Sequence, residues 1–268
     1  MHKLTQRYRY SIILLKQLVK TDFKLRYQGS TLGYLWSLLR PLFLFLILYI
    51  VFTMIFPLSK GIPHYPVYLL LGIVLWNYFI EVTTGGIGAI VSKGDLLRKI
   101  NFPKYVIVFA GSAAAFINLL INFVVIGIFM IIGHVALSWS ALYMIPLIAE
   151  LFLLAIGFAF FLSALFVRFR DVSYIWEVLM QAAFYITPIL YALQRVPTRY
   201  AKLLILNPMA QIIQDARHVL ITPYSMTINQ LYDGDKWIWL IPIGATILMA
   251  IIGATYFRSR SKFFAEEI

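Results

Sequence analysis

Long apolar runs separated by short charged clusters set the pattern of this chain. Each run has the length that a membrane-crossing helix needs, about 20 residues. Six spans are predicted: Leu38 to Phe56, Val67 to Ile90, Tyr105 to Ile132, Ala141 to Val167, Tyr174 to Leu193 and Trp237 to Phe257. Three stretches follow other patterns. From Leu4 to Tyr27, apolar Ile12, Leu15, Val19 and Phe23 recur at spacings of three and four, with Lys16, Lys20 and Lys24 on a neighbouring face. That is an amphipathic basic helix suited to a headgroup layer, either a working part of the protein or a plain anchor; Gly29 allows a break after it. Between spans two and three, Ser92 to Tyr105 predicts a short charged helix. Ser92 is expected to cap it, Asp95 suits its first turn, and Pro103 ends it by restricting Phe102. Such a helix serves equally as a docking knob for a soluble partner or as a solvated turn. From Arg195 to Lys236 the chain is too interrupted to span and too apolar to lie free in water, and Pro188 breaks the outer end of span five. Re-entrant or interfacial helices tucked into the protein are expected there. Asp233, Gly234 and Asp235 read as a turn, since the other positions of a calcium loop are missing.

Composition makes this a membrane protein. The 268 residues are 62% hydrophobic, 16% aromatic and 13% charged, with a mean hydropathy of +0.84. A soluble globule carries about 25% charged residues to keep its surface wetted, so lipid is the solvent here. The absence of Cys excludes disulfide scaffolds, thiolate metal sites and thiol catalysis. The start, MHKLTQRYRY, does not read as a cleavable signal.

Charge fixes an orientation. Lys+Arg total 23 against 11 Asp+Glu, a net +12. In a membrane chain that excess speaks of topology and lipid headgroups rather than nucleic acid. Most of it precedes span one or lies between spans two and three, between four and five, and after six. Lys60, Arg195, Arg199, Lys202, Arg217 and Lys236 form the minority on the other side. The positive-inside rule then places both termini in the cytoplasm.

Little in the chain reads as catalytic. Glu81, Glu150 and Glu177 fall within spans, where acids are costly and merit scrutiny, and Glu177 is within reach of Arg168 or Arg170. The four His residues are scattered without ligand spacing, no GxxxxGK[ST] phosphate loop occurs, and Asp22, Asp95 and Asp171 are each alone in their loops. No metal site is expected. Aromatics cluster in and around spans one, two and five; most suit interface anchoring or packing, and a minority suits a path for sugars.

Six segments in order resemble the permease subunit of a type-2 ATP-binding-cassette exporter, in its cell-surface polysaccharide branch. They are DFKLRYQGSTLGYLWSLLRPL (Asp22 to Leu42), IVSKGDLLRKINFPKY (Ile90 to Tyr105), FRDV (Phe169 to Val172), FYITPILY (Phe184 to Tyr191), NPMAQIIQDAR (Asn207 to Arg217) and FFAEEI (Phe263 to Ile268). The resemblance implies an all-α polytopic membrane protein forming one permease domain over residues 1–268. Its parts are an interface helix (1–29), six spans, a coupling-helix loop (92–104) and an external re-entrant region (188–236). It implies a homodimer seated on two copies of a separate ATPase, which uses the ATP and Mg; this chain binds no cofactor and is no enzyme on its own. The cargo is a glycan on a polyprenyl diphosphate carrier in the plasma membrane. The coupling role falls on Gly94, Asp95, Leu96, Leu97, Arg98, Lys99, Ile100 and Asn101. Arg40, with Arg26 and Lys24, is the candidate contact for the carrier's diphosphate, because an Arg fork holds two phosphate oxygens at once; snorkelling at the headgroups is the other reading of Arg40. Tyr34, Trp36, Phe43, Tyr49, Phe184 and Tyr185 are candidates to line the channel.

The opening segment looks closest to Gram-positive members, which ranks teichoic acid first as cargo, a rhamnan-type polymer second and O-antigen third, with capsule beyond. Two other classes stay open: a drug or small-lipid exporter, which more often lacks the basic N-terminal helix, and a membrane glycan-transferring enzyme, which needs clustered carboxylates.

Overall fold

The structure is a computed structural model that describes residues 12–21, 32–56, 59–99, 102–235 and 237–267. Among the described residues there are helices and turns and no strand. In chain order the helices are α1 (residues 12–21), α2 (Trp36–Ile50), α3 (Tyr65–Ser92), α4 (Gly94–Lys99), α5 (Tyr105–Ile132), α6 (Met144–Arg168), α7 (Val172–Ile186), α8 (Thr198–Ile205), α9 (Pro208–Leu220), α10 (Ile228–Leu231), α11 (Leu240–Arg260) and α12 (Phe264–Glu267). α2 continues as a π-helical turn over Val51–Ile55, and a 3-10 turn over Trp139–Tyr143 leads into α6.

Five segments are long and apolar enough to cross a membrane: Trp36–Ile55, Tyr65–Ser92, Tyr105–Ile132, Trp139–Arg168 and Leu240–Arg260. They match five of the predicted spans within a few residues. Within the fifth predicted span, drawn to Leu193, the helix ends earlier. α7 stops at Ile186 because Thr187 takes extended backbone ahead of Pro188. Its 15 residues rise about 22 Å, short of the roughly 30 Å hydrocarbon layer.

α3 is the axis of the bundle. It is buried along most of its length and packs against α2, α5, α6, α7 and α9. A helix apolar all round is stable only when surrounded, and this one is surrounded by other helices rather than lipid. The most extensive pairing joins α6 to α11. It depends on Gly157 and Gly253: a Cβ at 253 would stand 2.1 Å from the Gly157 carbonyl oxygen, and a Cβ at 157 would stand 2.8 Å from the Ala250 Cα. Small residues let helix backbones approach where the solvent supplies no hydrophobic drive.

The helices reverse so that α4 and α12 gather at one end of the bundle, here the α4 end, while α8, α9 and α10 gather at the other, the α9 end. α1 buries Leu18 and half-buries Leu14, Leu15 and Val19, leaving Lys16 and Lys20 exposed. Ile12, which the spacing placed in the apolar stripe, is exposed because the buried face centres on Leu18, six residues on. Phe23, Lys24, Arg26 and Gly29 lie outside the described residues. Ser92 does not cap α4. It is the last residue of α3, and its hydroxyl donates back to the Ala89 carbonyl at 3.1 Å, so α4 starts one residue later, after Lys93.

Candidate functional site

At the α4 end, the short helix α4 buries Gly94 and Leu97 and half-buries Leu96, while Asp95, Arg98 and Lys99 stand exposed. Asp95 sits in the first turn and Arg98 and Lys99 in the last, each favourable to the helix dipole. Ile100 and Asn101 lie outside the described residues. The helix is buttressed by the chain's C-terminal region. α12 packs on both α4 and α6. Its Phe264 is fully buried, edge-on to Phe257 with centroids 5.3 Å apart. Lys104 places its ammonium 5.6 Å from the centre of the Phe264 ring and donates to the Ser261 carbonyl. Burial lowers the Lys104 pKa from its usual value, with Glu266 opposing the shift. The result is a charged knob on an aromatic footing. Phe264→Ala removes that footing at a cost of about 3 kcal/mol. Faster proteolysis around α4 and a lower melting temperature are expected, with Phe264→Leu close to wild type in both.

The other sequence candidates separate into groups. Arg40 is exposed on α2, beside buried Pro41. Trp36, Phe43 and Tyr185 are exposed, on α2 and α7. Tyr49 is half-buried and stacks between Phe45 (5.7 Å) and Tyr65 (6.3 Å), and Phe184 is half-buried against Trp76 at 6.0 Å. Tyr49 and Phe184 therefore have ring neighbours within the chain. Tyr34 lies in the turn Gly33–Leu35. A cleft of about 310 Å³ opens between α3 and α5, running from Glu81 past Gly85 and Ala89 to Ser92 and Lys93. Glu81 accepts from Asn118 Nδ2 at 2.8 Å. Glu177 is exposed on α7. The predicted pairing of Glu177 is not formed; Arg168 lies over the Phe169 ring and Arg170 over Phe166. Among the described residues no three His, Asp or Glu side chains come together as a metal site would need.

The α9 end holds the residue that sequence reading missed. Arg217 had counted only as one of the outer cations, yet it is fully buried. Its Nε donates to the Tyr68 carbonyl (3.1 Å), Nη1 to the Pro188 carbonyl (2.6 Å) and to Gln214 Oε1 (3.1 Å), and Nη2 to the Ile189 carbonyl (2.7 Å). Its guanidinium lies 3.5 Å from the centre of the Tyr68 ring. Tyr65 adds a bond from its hydroxyl to the Leu190 carbonyl at 3.2 Å. The broken backbone after α7, whose carbonyls have no helix to receive them, is thus held by one Arg from α9 and by α3. Gly72 makes room: a Cβ there would come 2.5 Å from Arg217 Nη2. The signal in the sequence is an Arg in the last turn of an amphipathic helix that opens on Pro208.

Short, charged α4 and the packed α8–α10 cap lie at opposite ends of one helical bundle. A family model described as ABC-2 type transporter matches residues 13–221, across this framework from α1 to the end of α9. The chain belongs to the ABC-2 type transporter family. It is similar to an O-antigen export system permease protein RfbA of Klebsiella pneumoniae, 28% identical over 258 residues that cover 96% of this chain and 95% of the relative. A protein of the same name from Myxococcus xanthus is 29% identical over 261 residues, covering 95% of each chain. The polysialic acid transport protein KpsM of Escherichia coli is 22% identical over 254 residues, covering 93% of this chain and 94% of its own. As an ABC-2 family member the chain is a multi-pass membrane component of a transporter, and membership implies an ATP-binding-cassette ATPase as partner.

Proposed function

We propose that this chain is the membrane subunit of an ATP-driven exporter that moves a cell-surface polysaccharide, linked to a polyprenyl diphosphate, out of the cytoplasm. The near-full-length likeness to proteins named for O-antigen export and polysialic acid transport supports a long glycan as cargo. On that support an O-antigen-type polymer ranks ahead of the teichoic acid that the opening segment favoured. A homodimer on two ATPase copies fits the exposed apolar faces of α2 and α7, among them Phe43, Ile47, Ile175 and Val178. With the α4 end in the cytoplasm, both termini lie there too, α7 and the turn after it make the sixth crossing, and α8–α10 form the outer re-entrant region. Exposed Trp36, Phe43 and Tyr185 are the leading aromatics to line a path, with Tyr34, Tyr49 and Phe184 further candidates, and Arg40 on α2 is the candidate for the diphosphate.

The observation that carries the reading is the exposed trio Asp95, Arg98 and Lys99 on a helix whose apolar side is anchored by Leu97 and, through α12, by Phe264. That geometry presents charge outward from a buried apolar seat, as docking on a soluble ATPase requires. Charge reversal at both Asp95 and Arg98 is expected to abolish co-purification with the ATPase and ATP-dependent export, with membrane insertion intact. Assembly and export at wild-type levels in that double variant would leave α4 as a solvated turn. Arg40 has its own discriminator: Arg40→Lys is expected to lose export and cargo-stimulated ATP hydrolysis while basal hydrolysis persists, whereas a snorkelling anchor tolerates the change.

A further inference from the structure

Beyond the cleft at Glu81, a second groove lies between α1 and α5, with a volume of about 390 Å³. Leu15, Lys16, Val19 and Lys20 line it from α1, and Ile117 lines it from α5. Leu15 and Val19 stand one turn apart and make an apolar wall with Ile117, which is 38% exposed. Lys16 and Lys20 stand one turn apart beside that wall, both exposed, and form its rim. Neither helix supplies them with a counter-ion. α1 as described carries no acid, and α5 carries no charged residue of either sign.

The depth of the groove follows from α2. The apolar crossing that α2 belongs to begins at Trp36, and Asn122 Nδ2 of α5 donates to the Ser37 carbonyl at 3.3 Å. Further along both helices, Phe45 meets Phe129 edge-on with centroids 5.4 Å apart, so α2 and α5 run side by side in one direction. The hydrocarbon layer therefore begins close to the level of Asn122. Ile117 is five residues nearer the α4 end, about 7.5 Å along the helix axis. That is headgroup depth. Exposed Trp36 marks the same boundary, as aromatics at a membrane interface do.

We propose that the groove between α1 and α5 is a discrete binding site for one anionic phospholipid. Its phosphate sits on Lys16 and Lys20, and the upper part of an acyl chain lies along Leu15, Val19 and Ile117. Side chains one turn apart on a helix are neighbours, so two ammoniums reach a single phosphate. A free phosphate ion would satisfy the lysines and leave the apolar wall bare; a lipid serves both. A zwitterionic headgroup brings its own cation against the rim, so a net negative headgroup is preferred. One lipid held at named side chains differs from a helix resting on exchangeable headgroups, because it survives extraction into detergent. The bound lipid fastens α1 to the bundle beside the start of α2. The site is independent of which cargo is moved.

The full-length chain in mild detergent is examined by native mass spectrometry with phosphatidylglycerol and phosphatidylcholine added at equal concentration. Retention of one phosphatidylglycerol per chain, in preference to phosphatidylcholine, is the expected result. Lys16→Gln with Lys20→Gln is expected to weaken that retention by about fivefold per Lys, the factor that about 1 kcal/mol of headgroup attraction carries. Ile117→Trp keeps both cations and fills the groove from an exposed position, and is expected to abolish the preference. Arg258→Gln with Lys262→Gln removes the same charge from exposed positions elsewhere, and is expected to retain lipid as the wild type does. Equal retention of both lipids by the wild type overturns the site. Retention unchanged in the Lys pair and in Ile117→Trp overturns it too, as does an equal loss in the Arg258 and Lys262 pair. Polyprenyl phosphate retained ahead of phosphatidylglycerol, and lost in the same variants, gives the groove to the carrier and overturns the phospholipid.

Discussion

Replacing Arg217 with Ala is expected to cost the protein its folded state at the α9 end, and export with it. The guanidinium serves the carbonyls of Tyr68, Pro188 and Ile189 and the side chain of Gln214 from a position with no access to solvent. Each buried acceptor left without its donor costs about 1–3 kcal/mol, and alanine orphans several together. Arg217→Lys is the sharper variant. It keeps the charge but offers one compact ammonium where a planar fork reaches carbonyls on two separate chain segments. An intermediate loss is expected: recoverable protein, a lowered melting temperature and faster cleavage within the turn after α7. Size-exclusion profiles and melting curves of the detergent-purified variants measure this. Wild-type melting in Arg217→Ala would show that the turn is held by something other than this residue.

The second large effect is expected at Gly253. Any side chain there meets the Gly157 carbonyl oxygen, with even a Cβ only 2.1 Å away. No rotamer relieves a clash with backbone, so α6 and α11 must separate along their contact. Overpacking typically costs about 1–3 kcal/mol where neighbours can shift, and backbone shifts less readily than side chains. Gly253→Leu is therefore expected to abolish recoverable folded protein, and Gly253→Ala to reduce it strongly. Gly244, on the same helix with open space at its Cβ position, is the control, and Gly244→Ala is expected to behave as wild type. Equal yields from Gly253→Leu and Gly244→Ala would contradict the close packing of α6 on α11.

These two residues show where sequence reading stops. Spans with a continuous apolar period were legible to within a few residues, because length and hydropathy are local properties. α7 was drawn too long for a local reason that the sequence did contain. Pro188 was noted as a break, but the constraint it places on Thr187 ends the helix earlier than hydropathy suggests. At α4 the charged face and Pro103 were readable, while its footing was not, since α12 lies far away in sequence and packs on α4 only in the fold. Ser92 was misread as a cap because a hydroxyl at a helix junction bonds in either direction, and here it turns back to Ala89. Among the aromatics, composition could not separate the packed pair, Tyr49 and Phe184, from exposed Trp36, Phe43 and Tyr185, because all five sit in apolar runs. Arg217 was invisible as a pin for the same reason: a positive-inside count treats every cation as solvated.

On the proposed reading the chain is the moving part of an ATP-driven glycan exporter. Its most direct test reconstitutes the chain with its partner ATPase in liposomes that carry polyprenyl-diphosphate-linked glycan in the leaflet facing the ATPase. Appearance of the glycan in the opposite leaflet is then followed with and without ATP. ATP-dependent transfer that is lost on charge reversal at Asp95 and Arg98 is the expected result. Transfer at the same rate without ATP, or no transfer of any lipid-linked glycan by a complex that hydrolyses ATP, would contradict it.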